Sequence, residues 1–204
     1  MSPFFFVMNA LELILLKGGG SFLFAKFLPY FLLLLLGVVF GWVVFRKLQR
    51  MNAKKWLNLS IVVLLALLPF SLYFAAFPMY QGDVMSMGYS PKSSMKFPFE
   101  SGVVVVALPG CKYCSESTKL MNQIHLKLPG KTQYWVLGTD SLDVLAYDKL
   151  LSQDIFCRSA LNQKELLPVT EGSFPTFLWI KNYRIEKAWH NNDFGVWAMQ
   201  EIQP

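Results

Sequence analysis

The chain has 204 residues, of which 54% are hydrophobic and only 16% charged, with a formal net charge of +6. An ordinary soluble domain carries roughly 25% charged residues, so the deficit and the long apolar runs point to a membrane protein. Seven basic residues and one acidic residue precede Met79, and the rest of the chain is neutral; a nucleic-acid surface, which needs basic residues clustered on a folded domain, is excluded.

The segment from Pro3 to Leu16 is apolar apart from Asn9 and Glu12, which fall three apart on one helical face. A helix of that length reaches only about 21 Å, short of the hydrocarbon core of about 30 Å. It reads as an interfacial helix occupying 1–21, hinged at Lys17 and Gly18-Gly19-Gly20, with a third span as the alternative. No basic residue precedes the run, which argues against a cleavable leader.

Phe22 to Phe45 is almost continuously apolar, interrupted by Lys26 and Pro29, and Leu57 to Phe77 contains no charge. Each approaches or exceeds the roughly 20 residues that cross a bilayer, so 22–78 is expected to form two transmembrane helices. The loop 46–56 between them holds Arg46, Lys47, Arg50, Lys54 and Lys55 with no acidic residue. Short loops of this kind stay in the cytoplasm, which sends both chain ends outside. In a Gram-negative bacterium that is a two-pass inner-membrane protein with its C-terminal part in the periplasm.

Residues 79–96 lack hydrophobic periodicity and read as a tether. Met79, Met85, Met87 and Met95 are soft donors that suit Cu(I), but a mobile linker that packs its methionines opportunistically is the preferred reading. From 97 on, the pattern is that of a folded domain. Val103 to Leu108 is a short apolar run typical of a strand buried on both faces, ended by Pro109-Gly110. Leu120, Met121, Ile124 and Leu128 recur at helical spacing up to Pro129-Gly130. Gln133 to Gly138 reads as a second strand, and Asp140 or Ser141 caps a helix to about Leu151. Residues 152–172 read as irregular or helical. Phe177–Ile180 and Ile185–His190 form a hairpin around Lys181-Asn182-Tyr183-Arg184, and Asn192 or Asp193 caps a closing helix. The expected order is β-α-β-α-β-β-α.

Cys111-Lys112-Tyr113-Cys114 sits where the first strand meets the first helix. There the first sulfur lies over unpaired N–H groups and the positive end of the helix dipole, which favour a thiolate. Cysteines so placed have pKa values lowered from about 8.5 into roughly the 3.5–7.5 range. Cys111 is the expected nucleophile and Cys114, one turn on, the resolving thiol. Lys112 is expected to favour the thiolate, stabilising the reduced form and leaning towards oxidising behaviour.

This arrangement, with Gly172-Ser173-Phe174-Pro175-Thr176 ahead of the hairpin, resembles the thioredoxin superfamily over about Phe97 to Gln203. The resemblance implies an α/β thioredoxin-like domain, a central mixed sheet flanked by helices, after the helical membrane anchor. It implies that Pro175 is a cis-proline facing the disulfide, keeping metals and stray thiols off Cys111, and that the Phe174 backbone pairs with a bound substrate segment. The sequence departs from thioredoxins in having Gly110 where Trp is usual and Lys112-Tyr113 where Gly-Pro is usual. Tyr113 resembles the glutaredoxin pattern. No buried acidic residue is legible in the first strand; Glu100 and Glu116 are merely near in sequence.

Zinc is disfavoured, because only Cys157, His125 and His190 remain as further soft donors and no second Cys-x-x-Cys exists. An inert structural disulfide is the stronger rival to an exchanging one. Cys157 reads as a small buried hydrophobe, and His125 and His190 as surface or strand-edge residues. The expected function is thiol–disulfide exchange on exported proteins, with no cofactor besides the cysteine pair. Partners would be protein thiols or disulfides, the lipid bilayer, and a separate membrane redox partner, since the spans contain no cysteine. The alternative is a non-catalytic accessory subunit of a membrane complex that uses its thioredoxin-like domain for binding.

Overall fold

The structure, a computed structural model, describes residues 10–11, 14–49, 55–79, 81–138, 140–160 and 163–202. The chain divides into two compact units, Met1–Met79 and Tyr80–Pro204.

The first unit is a helical hairpin of α1 (Phe22–Gln49) and α2 (Lys55–Ala76), both long and apolar enough to cross a bilayer by length and composition. Pro29 and Pro69 lie inside them without ending them. Gly37 and Gly41 let the two backbones approach: a Cβ on Gly37 would fall on the carbonyl oxygen of Ala66, and one on Gly41 would lie 3.1 Å from the Ala66 methyl. Small residues four apart are the usual means of close helix contact in lipid. At the other end of the hairpin, Tyr30 and Tyr73 meet edge to face at 4.8 Å, and the Tyr30 hydroxyl donates to the Phe77 carbonyl at 2.5 Å. Arg46 lies over the Trp42 ring. The rest of the basic loop, Arg50 to Lys54, is outside the described residues, as are Asn9 and Glu12 of the proposed interfacial face. Ala10–Leu11 and Ile14–Lys17 are helical, and a turn at Gly18-Gly19 follows.

The second unit is a five-stranded sheet of order β3-β2-β1-β4-β5. Its strands are β1 (Ser101–Ala107), β2 (Thr132–Val136), β3 (Phe156–Ser159), β4 (Thr176–Lys181) and β5 (Arg184–His190). β1, β2 and β3 run parallel, and β4 and β5 join antiparallel. Val103 to Val106 are fully buried in the central strand, as their unbroken apolar run requires. The interspersed helices are α4 (Lys112–Lys127), α5 (Ser141–Asp148), α6 (Gln163–Thr170) and α7 (Val196–Glu201). This is the thioredoxin-like architecture expected.

Three expectations need correction. Residues 152–172 contain β3 and α6, so the order is β-α-β-α-β-α-β-β-α. A four-residue edge strand has too few positions to show alternation, and Pro168 inside α6 disguises the helix. Second, 79–96 is not a free tether. It forms a short helix α3 (Gln81–Val84), bridges Tyr89 to Ala188 beside β5, and buries Met95 in the core. This strap thereby pairs the backbone groups of Ala188 on the outer edge of β5, which would otherwise be left unpaired. Third, Asn192 and Asp193 do not cap α7: they lie in a 3-10 turn, Gly195 is the N-cap residue, and no side chain of its own caps the helix.

Candidate active site

β1 ends at Ala107, and Leu108, Pro109 and Gly110 turn the chain into α4. Gly110 has φ +67°, a conformation a residue with a Cβ seldom adopts, and this accounts for glycine before the first cysteine. Cys111 is the N-cap residue of α4 and is bonded to Cys114, with the two Cα atoms 5.2 Å apart. The Cys114 N–H points at Cys111 Sγ at 3.2 Å. The helix therefore presents its free N–H end to the first sulfur. Cys111 is half-buried and Cys114 has no exposure, so an incoming group reaches only Cys111. Lys112 and Tyr113 are exposed on the first turn between them.

The loop Ser173–Pro175 precedes β4, and the Phe174–Pro175 bond is cis. Thr176 stands opposite Val106, so the loop lies at the same sheet end as the cysteines. Phe174 packs on the core, and the Ser173 N–H donates to the Thr170 carbonyl at 2.8 Å. His190 pairs with Thr176 at this end, its ring against Tyr89 and its Nε2 3.4 Å from Glu171. Burial and the Glu171 charge push the Tyr89 hydroxyl up to about 12.

No sequence feature drew attention to the hydroxyl groups under the disulfide. Tyr134 of β2 donates to the Cys114 carbonyl at 2.6 Å, and Ser117 of α4 donates to the same oxygen at 2.7 Å. The two hydroxyls are themselves 3.1 Å apart. Tyr147 of α5 donates to the Leu108 carbonyl at 2.6 Å, and its ring lies 5.2 Å from that of Tyr134. Burial raises the pKa of both phenols. The signal was present only as helical spacing, Ser117 being three residues after Cys114. The strand residue becomes legible once β2 is known to lie beside β1.

Glu116 is exposed on α4, and Glu100 lies at the start of β1, at the opposite end of the sheet from the cysteines. Neither is beneath the pair. Cys157 is half-buried on β3, opposite Tyr134, and burial pushes its thiol up to about 12. Two strand spacings, about 10 Å, separate β3 from β1. His125 corrects another expectation: it is buried, with Nδ1 2.7 Å from the Thr132 hydroxyl, and is neither a surface nor an edge residue. It sits at the sheet end remote from His190. Among the described residues no three His, Cys, Asp or Glu side chains form a metal-binding group. Met95 is enclosed in the core, away from any shared thioether site with the exposed Met85 and Met87.

No family model and no curated protein matches the chain. A solved structure, the thioredoxin domain of a thiol-disulfide oxidoreductase from Bacteroides vulgatus, is similar at 13% identity and TM-score 0.39, covering 51% of this chain and 80% of that one.

Proposed function

We propose that the chain is a membrane-anchored thiol–disulfide oxidoreductase that acts on exported proteins through Cys111 and Cys114. The observation that carries this reading is the asymmetry of the pair, a reachable Cys111 at a helix N-terminus bonded to an enclosed Cys114. A substrate thiolate attacks Cys111 Sγ, forming a mixed disulfide and expelling Cys114 as a thiolate, which takes up a proton. A second substrate thiolate then attacks the substrate sulfur and releases Cys111. The substrate dithiol has lost two electrons and the cysteine pair has gained them; the same steps in reverse reduce a substrate disulfide.

The two apolar helices serve as the anchor, with the basic loop in the cytoplasm and the thioredoxin-like domain in the periplasm. The Ser173–Pro175 loop, at the same sheet end as the pair, supplies the Phe174 backbone to an extended substrate. The exposed Lys112 favours the thiolate electrostatically. With all three cysteines in the second unit, a separate membrane redox partner recharges the pair.

Cys114→Ala in cells tests the chemistry, because the mixed disulfide then has no resolving thiol. Covalent adducts through Cys111 with extracytoplasmic proteins are expected on non-reducing gels, and are absent in Cys111→Ser. If no adduct forms while deletion of the spans still impairs cells, the accessory-subunit reading replaces this one. A thiol reagent that does not cross membranes should label reduced Cys111 from outside; protection reverses the topology.

A further inference from the structure

Helix N-termini stabilise a thiolate only if their first turn is held in register with the sulfur, because the effect is confined to that turn. In this domain both ends of the turn that carries the cysteines are held from below. Tyr134 and Ser117 converge on the Cys114 carbonyl, at 2.6 and 2.7 Å, and Tyr147 holds the Leu108 carbonyl at 2.6 Å on the entering side. The two tyrosines come from different elements, β2 and α5, and their rings pack at 5.2 Å. The pair of carbonyls is therefore tied to the sheet and to a flanking helix at once.

We propose that Tyr134, supported by Ser117 and Tyr147, is a positioning residue for the disulfide: it fixes residue 114 so that its N–H stays aimed at Cys111 Sγ. This rests on the exchange chemistry proposed above and deepens it. The arrangement differs from one that places a carboxylate under the pair, because hydroxyl donors hold the turn without adding charge. Burial keeps both phenols protonated, so the support stays neutral while the thiols titrate. The other titratable groups facing it are Asp143, which acts on Tyr147, and Cys157, which acts on both rings. Lys112, Tyr113 and Glu116 lie on the exposed side of the same turn.

The test uses the full-length chain in detergent. Tyr134→Phe keeps the ring and removes the hydroxyl. Cys111 alkylation by iodoacetamide is followed against pH by peptide mass spectrometry, and the dithiol–disulfide equilibrium is measured against glutathione. Loss of the aligned N–H should raise the Cys111 pKa by about 0.5–1 unit. Less thiolate means a less stable reduced form, so the equilibrium should move about three- to tenfold towards the disulfide, or roughly 15–30 mV at 29.6 mV per tenfold. Ser117→Ala should shift both readouts in the same sense by less, and decides the matter if Tyr134→Phe does not fold. Asp83→Ala, which weakens the domain elsewhere, should move neither. A pair that equilibrates with glutathione but is unchanged in Tyr134→Phe, or in Ser117→Ala where that variant decides, overturns the positioning role alone. A wild-type pair that glutathione never reduces removes the exchange reading beneath it.

Discussion

Asp83 Oδ1 accepts a hydrogen bond from the backbone N–H of Val196 at 3.3 Å, joining residues 113 positions apart. The acceptor belongs to the strap that opens the second unit, and the donor is the first residue of its last helix. Gly195, the N-cap position of α7, has no side chain with which to do this. The strap thus supplies from a distance what a local Ser or Asp usually supplies, and Asp83 is buried in doing so. Removing the cap with Asp83→Ala should cost about 1 kcal/mol. For a domain of this size that is a fall in Tm of about 3–6 °C, read by circular dichroism. An unchanged Tm would show that α7 needs no cap.

The boundary of the folded unit follows from the same contacts. Gly82 lies so close to Asp193 and Gly195 that a Cβ would meet the Asp193 carbonyl oxygen at 2.5 Å. Further on, the Tyr89 hydroxyl donates to the Val169 carbonyl at 2.5 Å, and the Trp189 indole N–H donates to the Ser86 hydroxyl at 3.1 Å. A soluble fragment 80–204 is therefore expected to unfold cooperatively. A fragment 97–204 loses buried Met95 and uncovers β5, so it should melt at least about 5 °C lower or aggregate through that edge. Equal melting curves would mean that the strap is an ornament.

Cys157 should be a poor nucleophile despite its partial exposure. With its thiol pushed up to about 12, very little is ionised near pH 8, whereas an unfolded cysteine titrates at about 8.5. Alkylation of Cys157 at pH 8 should be at least about a hundredfold slower in the folded protein than in denaturant. The sign for stability follows from linkage. A group whose folded pKa is raised contributes fully below the unfolded value, and that contribution is lost as pH rises from about 8.5 towards 12. Urea midpoints should fall over that interval, and Cys157→Ala should flatten the fall.

In the hairpin, Gly37→Leu places a side chain where the Ala66 carbonyl lies. The helices must separate there, so thermal aggregation of the full-length chain in detergent should begin at a lower temperature. The glutathione equilibrium of Cys111–Cys114 should stay unchanged, since the substitution lies in the other unit. A conservative Gly41→Ala should be milder, because the contact it would make is with a methyl group at 3.1 Å.

The apolar runs of 22–45 and 57–77 announced two helices by length alone, and Val103 to Val106 announced a buried strand, because water exclusion writes itself directly into composition. The Cys-x-x-Cys at a strand–helix junction and the Phe174-Pro175 step were likewise legible, being local features whose chemistry depends on a few neighbouring residues. β3 was not, since Phe156 to Ser159 becomes a strand only by pairing with β2. Polar, aperiodic residues 79–96 looked like a tether because the contacts of Asp83, Tyr89 and Met95 are with residues about 100 positions away or scattered over the sheet. Nothing local in the sequence set Tyr134 and Tyr147 apart. Only tertiary packing aims their hydroxyls at the Cys114 and Leu108 carbonyls, since a hydrogen bond between distant residues leaves no period or spacing in the chain.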